Sequence, residues 1–185
     1  MRCFVAVDLN RDLAKQVEDI QREITNLNVD VKFVEPENLH FTLRFLGEVN
    51  ESEADAIERS IGECLRGFYA FKISIHGLGY FGIPRYIRTL WLDVNEGKDE
   101  FVKLMKNVNM CLKMGEENKS VHLTIGRVKS GKNRESLLNF INKSKDVKIG
   151  EMVVKDVKLK SSVLGRSGPV YSDLFVFKLG GKEHE

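Results

Sequence analysis

The chain has 185 residues, 42% of them hydrophobic, enough to fill a core and too apolar for a disordered polymer. With 29 basic and 27 acidic side chains the net charge is +2, which excludes the basic coat of a nonspecific nucleic-acid binder; any RNA contact has to come from a local patch. The apolar run at residues 3–7 stops at Asp8, too short for a signal peptide or a membrane span, so a cytoplasmic chain that meets no membrane is expected.

Residues 2–9 form a β-rich run, and Asn10 after it offers a helix N-cap. Leu13, Val17, Ile20, Ile24 and Leu27 then recur at steps of four, three, four and three, one stripe of an amphipathic helix. Residues 31–34 read as a short strand. Residues 39–46 alternate, with Phe41, Leu43 and Phe45 on one face and His40, Thr42 and Arg44 on the other. Ala54, Ile57, Ile61 and Cys64/Leu65 mark a second helix, closed by Gly67. Phe71, Ile73 and Ile75 alternate with Lys72, Ser74 and His76 in a strand that leads into a turn-rich segment at 77–84. A strand at 89–94 and a helix carrying Phe101, Leu104/Met105, Val108 and Cys111/Leu112 follow, with Gly115 past the helix end. A strand at 121–128, a short helix at 133–141 and strands at 152–163 and 170–179 complete the chain. This interleaving, without a Gly-rich dinucleotide fingerprint or a long linker, reads as α+β: two small sheets with helices packed outside, not one doubly wound sheet.

Cys3, Cys64 and Cys111 form no CxxC pair and sit in apolar patterns, so three buried, reduced thiols are expected. Lysines 143, 145, 148, 155, 158 and 160 make the last third locally basic, but Asp146, Glu151 and Asp156 interrupt them, and a solvated face is expected. His76 is expected to face solvent and His184 to lie in a disordered tail.

One pattern occurs twice. His40-Phe41-Thr42-Leu43 and His122-Leu123-Thr124-Ile125 both read His-apolar-Thr-apolar, and they hold two of the chain's four histidines. On a strand, His and Thr two apart project from one face while the apolar pair anchors the other in a core. Two imidazoles can serve as base and acid at neutral pH, and two hydroxyls can hold the non-bridging oxygens of a phosphate between them. That set fits in-line displacement at phosphorus. It fits acyl transfer poorly, because no Ser or Cys nucleophile adjoins either histidine. Neither strand supplies HExxH, HxH or a nearby carboxylate, so no metal is expected.

VKFVEPENLHFTLRFLGEV (31–49), GLGYFGIPRYIRTLWLDV (77–94) and HLTIGRV (122–128) resemble the two-histidine phosphoesterases. Within them they resemble the LigT-like RNA 2′,3′-cyclic phosphodiesterases, also named 2′-5′ RNA ligases. The resemblance covers nearly the whole chain. It implies one bilobal domain over 1–185: two pseudo-symmetric lobes of small antiparallel sheets, helices outside, and a cleft across which the motifs face each other. It implies hydrolysis of RNA 2′,3′-cyclic phosphate ends to 2′-phosphomonoesters without metal or cofactor; the same site run backwards would give reversible 2′-5′ ligation, and a monomer is expected. His40 would be the proton donor to the leaving 3′ oxygen and His122 the acceptor that activates water; the residues alone do not order these roles. Thr42 and Thr124 would bind substrate. Arg127 matches an arginine of the second motif and is expected to fork onto the phosphate, as is Arg44 because it shares the face of His40 and Thr42. Tyr80, Phe81 and Trp91 are candidates to stack a base, with core packing the expected job of at least two of them, and Tyr171 resembles a late family position. The competing readings are a phosphodiesterase for small cyclic nucleotides or 2′-5′ oligonucleotides, and a noncatalytic RNA-end-binding module. Two intact motifs argue against the latter.

Overall fold

The computed structural model describes residues 1–115, 120–166 and 168–181; His184 lies outside them. Helices form where a cap and a stripe agree. The Asn10 side chain accepts the Asp12 backbone N–H and opens α1 (Arg11–Thr25), which buries Leu13, Val17, Ile20 and Ile24 as the spacing predicts. A reciprocal capping box between Asn50 and Glu53 opens α2 (Glu51–Cys64). The remaining helices are α3 (Lys98–Cys111) and α4 (Arg134–Lys143).

The strands are β1 (Arg2–Asp8), β2 (Val31–Phe33), β3 (His40–Glu48), β4 (Phe71–Ile83), β5 (Tyr86–Val94), β6 (His122–Val128), β7 (Lys148–Val154), β8 (Asp156–Leu164) and β9 (Pro169–Lys178). They hydrogen-bond in the order β7-β4-β5-β6-β3-β1-β8-β9, with β2 also on β6. The named strand pairings are all antiparallel. The order divides into two four-stranded lobes, β3-β1-β8-β9 and β6-β5-β4-β7, each of which starts with one motif strand. They meet at a single register pair, Phe41 with Leu123. Helices α2 and α3 pack on the first lobe and α1 and α4 on the second, so the lobes interleave in sequence. The core lies between sheet and helices, with Phe41, Leu123, Phe101 and Ile24 among its fully buried members. No described helix is long and apolar enough to cross a membrane.

Four expectations are corrected here. Residues 77–83 are strand rather than turn: Gly79 is glycine because its backbone lies under the Trp91 indole, where a Cβ would collide. The run 152–163 is two strands, because burial shifts from Met152 and Val154 to Val157 and Leu159 across Lys155, where the chain crosses between lobes. Cys64 and Cys111 are not reduced thiols but a disulfide joining the ends of α2 and α3, with their Cα atoms 6.1 Å apart; Cys3 is buried and free. Lys158 and Lys160 are not a solvated face. Both ammonium groups bind Asp8 and Asp173 at 2.7–2.9 Å, and the Lys160 side chain is 7% exposed. His76 is part-exposed, with Nε2 3.0 Å from the Asp146 carbonyl.

Candidate active site

Phe41 and Leu123 point into the core, so His40, Thr42, His122 and Thr124 all stand on the opposite face of the sheet. Antiparallel register through that pair sets His40 beside Thr124 and Thr42 beside His122. The histidines thus lie diagonally across the strand pair, each beside the other motif's threonine.

Both imidazoles are oriented in the same way. His40 Nδ1 lies 2.6 Å from the Asn38 carbonyl oxygen, and His122 Nδ1 lies 2.6 Å from the Ser120 carbonyl oxygen. A carbonyl only accepts, so Nδ1–H donates in each case and each Nε2 is left to take or give a proton. Rings hold these orientations. Phe4 lies 5.0 Å from His40 and Tyr171 meets it edge-on at 5.4 Å; Phe81 meets His122 edge-on at 4.8 Å, and Trp91 lies 6.4 Å from it. Burial pushes the His40 pKa below its ordinary value, against the Asn38 carbonyl and the Asp8 carboxylate; Lys160 and His122 add to the depression. Burial pushes the Tyr171 phenol up, while Arg127, from the other lobe, and Lys160 act downward.

Two one-residue bulges decide what else reaches this face. Between β1 and β3 the register runs Asp8–His40, Ala6–Thr42, Val5–Arg44, Phe4–Phe45, skipping Leu43. Val5 faces the core, so Arg44 does too; it is buried and donates to the Gly115 carbonyl at 2.9 Å. Arg44 therefore does not share the face of His40 and Thr42, and its expected phosphate role is withdrawn. Phe45, expected in the core, is 52% exposed beside Phe4 on the histidine face. Between β5 and β6 the register runs Asp93–His122, Trp91–Thr124, Leu90–Gly126, Thr89–Arg127, skipping Ile125. Arg127 thereby returns to the histidine face. Tyr80 packs against the core, whereas Phe81 and Trp91 pack around His122.

Sequence reasoning missed several contributors. Phe4 has no motif to mark it. Asp8 and Asp93 each sit in register beside a motif histidine, and each binds lysine: Asp8 binds Lys158 and Lys160, and Asp93 binds Lys98 at 2.9 and 3.1 Å. Gln21 is buried in α1 and donates at 3.0 Å to both the Val34 and Ile125 carbonyls, pinning the bulge that presents Arg127. A glutamine beside Ile20 in an apolar stripe was the available signal. Among the described residues no three His, Cys, Asp or Glu side chains gather as a metal-ligand set.

A family model described as LigT-like phosphoesterase matches residues 7–91. A Methanothermobacter thermautotrophicus protein named RNA 2′,3′-cyclic phosphodiesterase is 45% identical over 183 residues, 97% of this chain and 99% of its own. The chain belongs to the LigT-like phosphoesterase family. An Archaeoglobus fulgidus protein of the same name is 42% identical, over 96% of this chain and 100% of its own. Among solved structures, a Thermus thermophilus protein superposes with a TM-score of 0.80 at 25% identity, covering 99% of this chain and 100% of its own. E. coli LigT in its apo form shares the fold at a TM-score of 0.75 and 20% identity, over 96% of both chains. The family model stops before the second motif; the full-length LigT-like relatives extend across it.

Proposed function

We propose that this chain is an RNA 2′,3′-cyclic phosphodiesterase that hydrolyses terminal cyclic phosphates to 2′-phosphomonoesters, with His40 as proton donor and His122 as acceptor. The observation that carries this reading is the pair of imidazoles, each fixed through Nδ1 to a backbone carbonyl and flanked by a threonine on one face. The name of the full-length relatives supports it.

The cyclic phosphate sits between the four motif side chains. Thr42, Thr124 and the Arg127 guanidinium hold its non-bridging oxygens. His122 Nε2 takes a proton from water as the water oxygen bonds to phosphorus. The bond from phosphorus to the 3′ oxygen breaks in line, and His40 Nε2–H protonates that oxygen. The phosphate stays on the 2′ oxygen. Burial disfavours the charged form of His40, and the anionic substrate acts the other way, favouring the protonated donor once bound. Side chains carry both proton transfers, so no metal takes part. A 5′-hydroxyl in the water's place gives a 2′-5′ linkage, which is how the same geometry serves ligation. The active form is a single bilobal domain acting as a monomer.

Turnover of a dinucleotide ending in 2′,3′-cyclic phosphate, in EDTA, tests the reading. Hydrolysis at the wild-type rate after chelation, and its loss in both His40→Ala and His122→Ala, is expected. Activity that vanishes on chelation and returns with zinc or manganese would overturn it.

A further inference from the structure

The chain's balance of 29 basic and 27 acidic side chains is not evenly spread. Residues 83–89 and 126–134 hold six cations, Arg85, Arg88, Arg127, Lys129, Lys132 and Arg134, and no carboxylate. The fold brings the two segments together. Strands β5 and β6 pair through Thr89 and Arg127, and Arg134 donates to the Arg85 carbonyl at 3.1 Å. All six side chains are exposed. Tyr86 and Ile83, paired at the end of the β4–β5 hairpin, are 68% and 55% exposed.

This patch continues the histidine face. Beyond Arg127, Val128 packs toward the core, so Lys129 returns to the outer face. Along β4–β5 the Phe81–Thr89 pair lies on the histidine face; the Gly82–Ile87 pair turns Ile87 into the core, and the Ile83–Tyr86 pair turns out again. In the first lobe, by contrast, Lys158 and Lys160 are matched by Asp8 and Asp173.

We propose that this end of the second lobe is the track for the RNA strand on the 5′ side of the reacting terminus. The proposal rests on the cyclic phosphodiesterase reading. A 2′,3′-cyclic phosphate is the 3′ end of its strand, so the rest of the RNA leaves the cleft from the 5′ side. A surface of six cations, edged by the exposed Glu135 and by Asp30, whose carbonyl accepts the Lys129 backbone N–H at 2.8 Å, binds successive backbone phosphates, and an exposed tyrosine stacks a base without regard to sequence. The substrate class is thus a single-stranded RNA end several nucleotides long, rather than an isolated cyclic nucleotide.

The test compares a cyclic-phosphate dinucleotide with a cyclic-phosphate octanucleotide. The wild type should show a KM for the octamer about tenfold or more below that for the dinucleotide at low salt. That advantage should shrink as salt rises, by a log–log slope of about −0.7 per phosphate neutralised. The double variant Arg88→Glu/Lys129→Glu should raise the octamer KM about tenfold or more and leave dinucleotide kinetics unchanged; Tyr86→Ala should raise the octamer KM about fivefold or more. Equal KM values for the two lengths, or a charge-reversed variant that handles the octamer like wild type, would overturn the track. No turnover of either RNA would remove the phosphodiesterase reading instead. The track is then read from binding of a 3′-hydroxyl octamer, which the wild type should hold about tenfold tighter than the double variant, and equal binding would overturn it.

Discussion

Phe45 and Arg127 stand at the same station of the two motif strands, five residues past their histidines, each returned to the cleft face by a one-residue bulge after the threonine. The pseudo-symmetry extends to Asp8 and Asp93 beside the two histidines, and the chemistry departs from it here. One lobe turns an aromatic ring to the cleft face and the other a guanidinium.

Arg127→Ala should therefore lower kcat/KM roughly 10- to 100-fold, the worth of one hydrogen bond to a charged group. Arg44→Ala should leave kcat/KM unchanged well below the melting temperature and cost about 1–3 kcal/mol of stability, because its bond to the Gly115 carbonyl is structural. Steady-state kinetics and thermal melts of the two variants separate these roles. A kinetic defect in Arg44→Ala with Arg127→Ala unaffected would invert the assignment.

His40 makes stability depend on pH. Its folded pKa lies below the unfolded value of about 6.5, so the unfolded chain takes up the proton more readily. The stabilisation is complete above about pH 6.5 and is lost as pH falls through the depressed folded value. Between pH 7 and pH 5 the melting temperature of wild type should fall more steeply than that of His40→Gln. Parallel curves would show that burial does not shift this imidazole.

The ion-pair cluster beside His40 should tune it in opposite directions. Asp8→Asn removes the carboxylate that favours imidazolium and should move the His40 NMR titration to lower pH. Lys160→Met removes a cation that disfavours it and should move the titration up. Shifts of the same sign in both variants would contradict the cluster's role.

The disulfide is open to direct counting. It closes a loop of 47 residues between helices that pack together, and on chain-entropy grounds contributes about 4 kcal/mol. Thiol titration of the denatured, unreduced protein should find one free thiol, Cys3, and reduction should expose three. Cys111→Ala should lower the melting temperature by about 10 °C. Three thiols before reduction would remove the bridge.

What the sequence could and could not disclose follows from the range of each interaction. The tetrapeptides were legible because a period of two fixes which face a strand residue takes, and Phe41 and Leu123 do lie in the core. Helix α1 was legible because cap and stripe are local. Arg44 and Phe45 were misplaced because a skipped residue reverses every face beyond it, and nothing in LRFLG marks the skip. Arg127 was placed by resemblance, and the bulge at Ile125 is the physical reason that it reaches the site face. Lys160 was read as solvated because its partners Asp8 and Asp173 become neighbours only once β8 lies between β1 and β9. The disulfide needed the packing of α2 on α3, which spacing alone does not give.

The central claim is that His40 and His122 move protons across one phosphate so that the 3′ oxygen leaves. The position of the phosphate in the product tests it most directly. An oligonucleotide ending in 2′,3′-cyclic phosphate, digested in EDTA and resolved against standards, should give the 2′-monophosphate alone. His40→Ala and His122→Ala should each slow its formation by roughly 10²–10⁴. A 3′-monophosphate product would contradict the assigned leaving group, and full activity in either histidine variant would remove that residue from the mechanism.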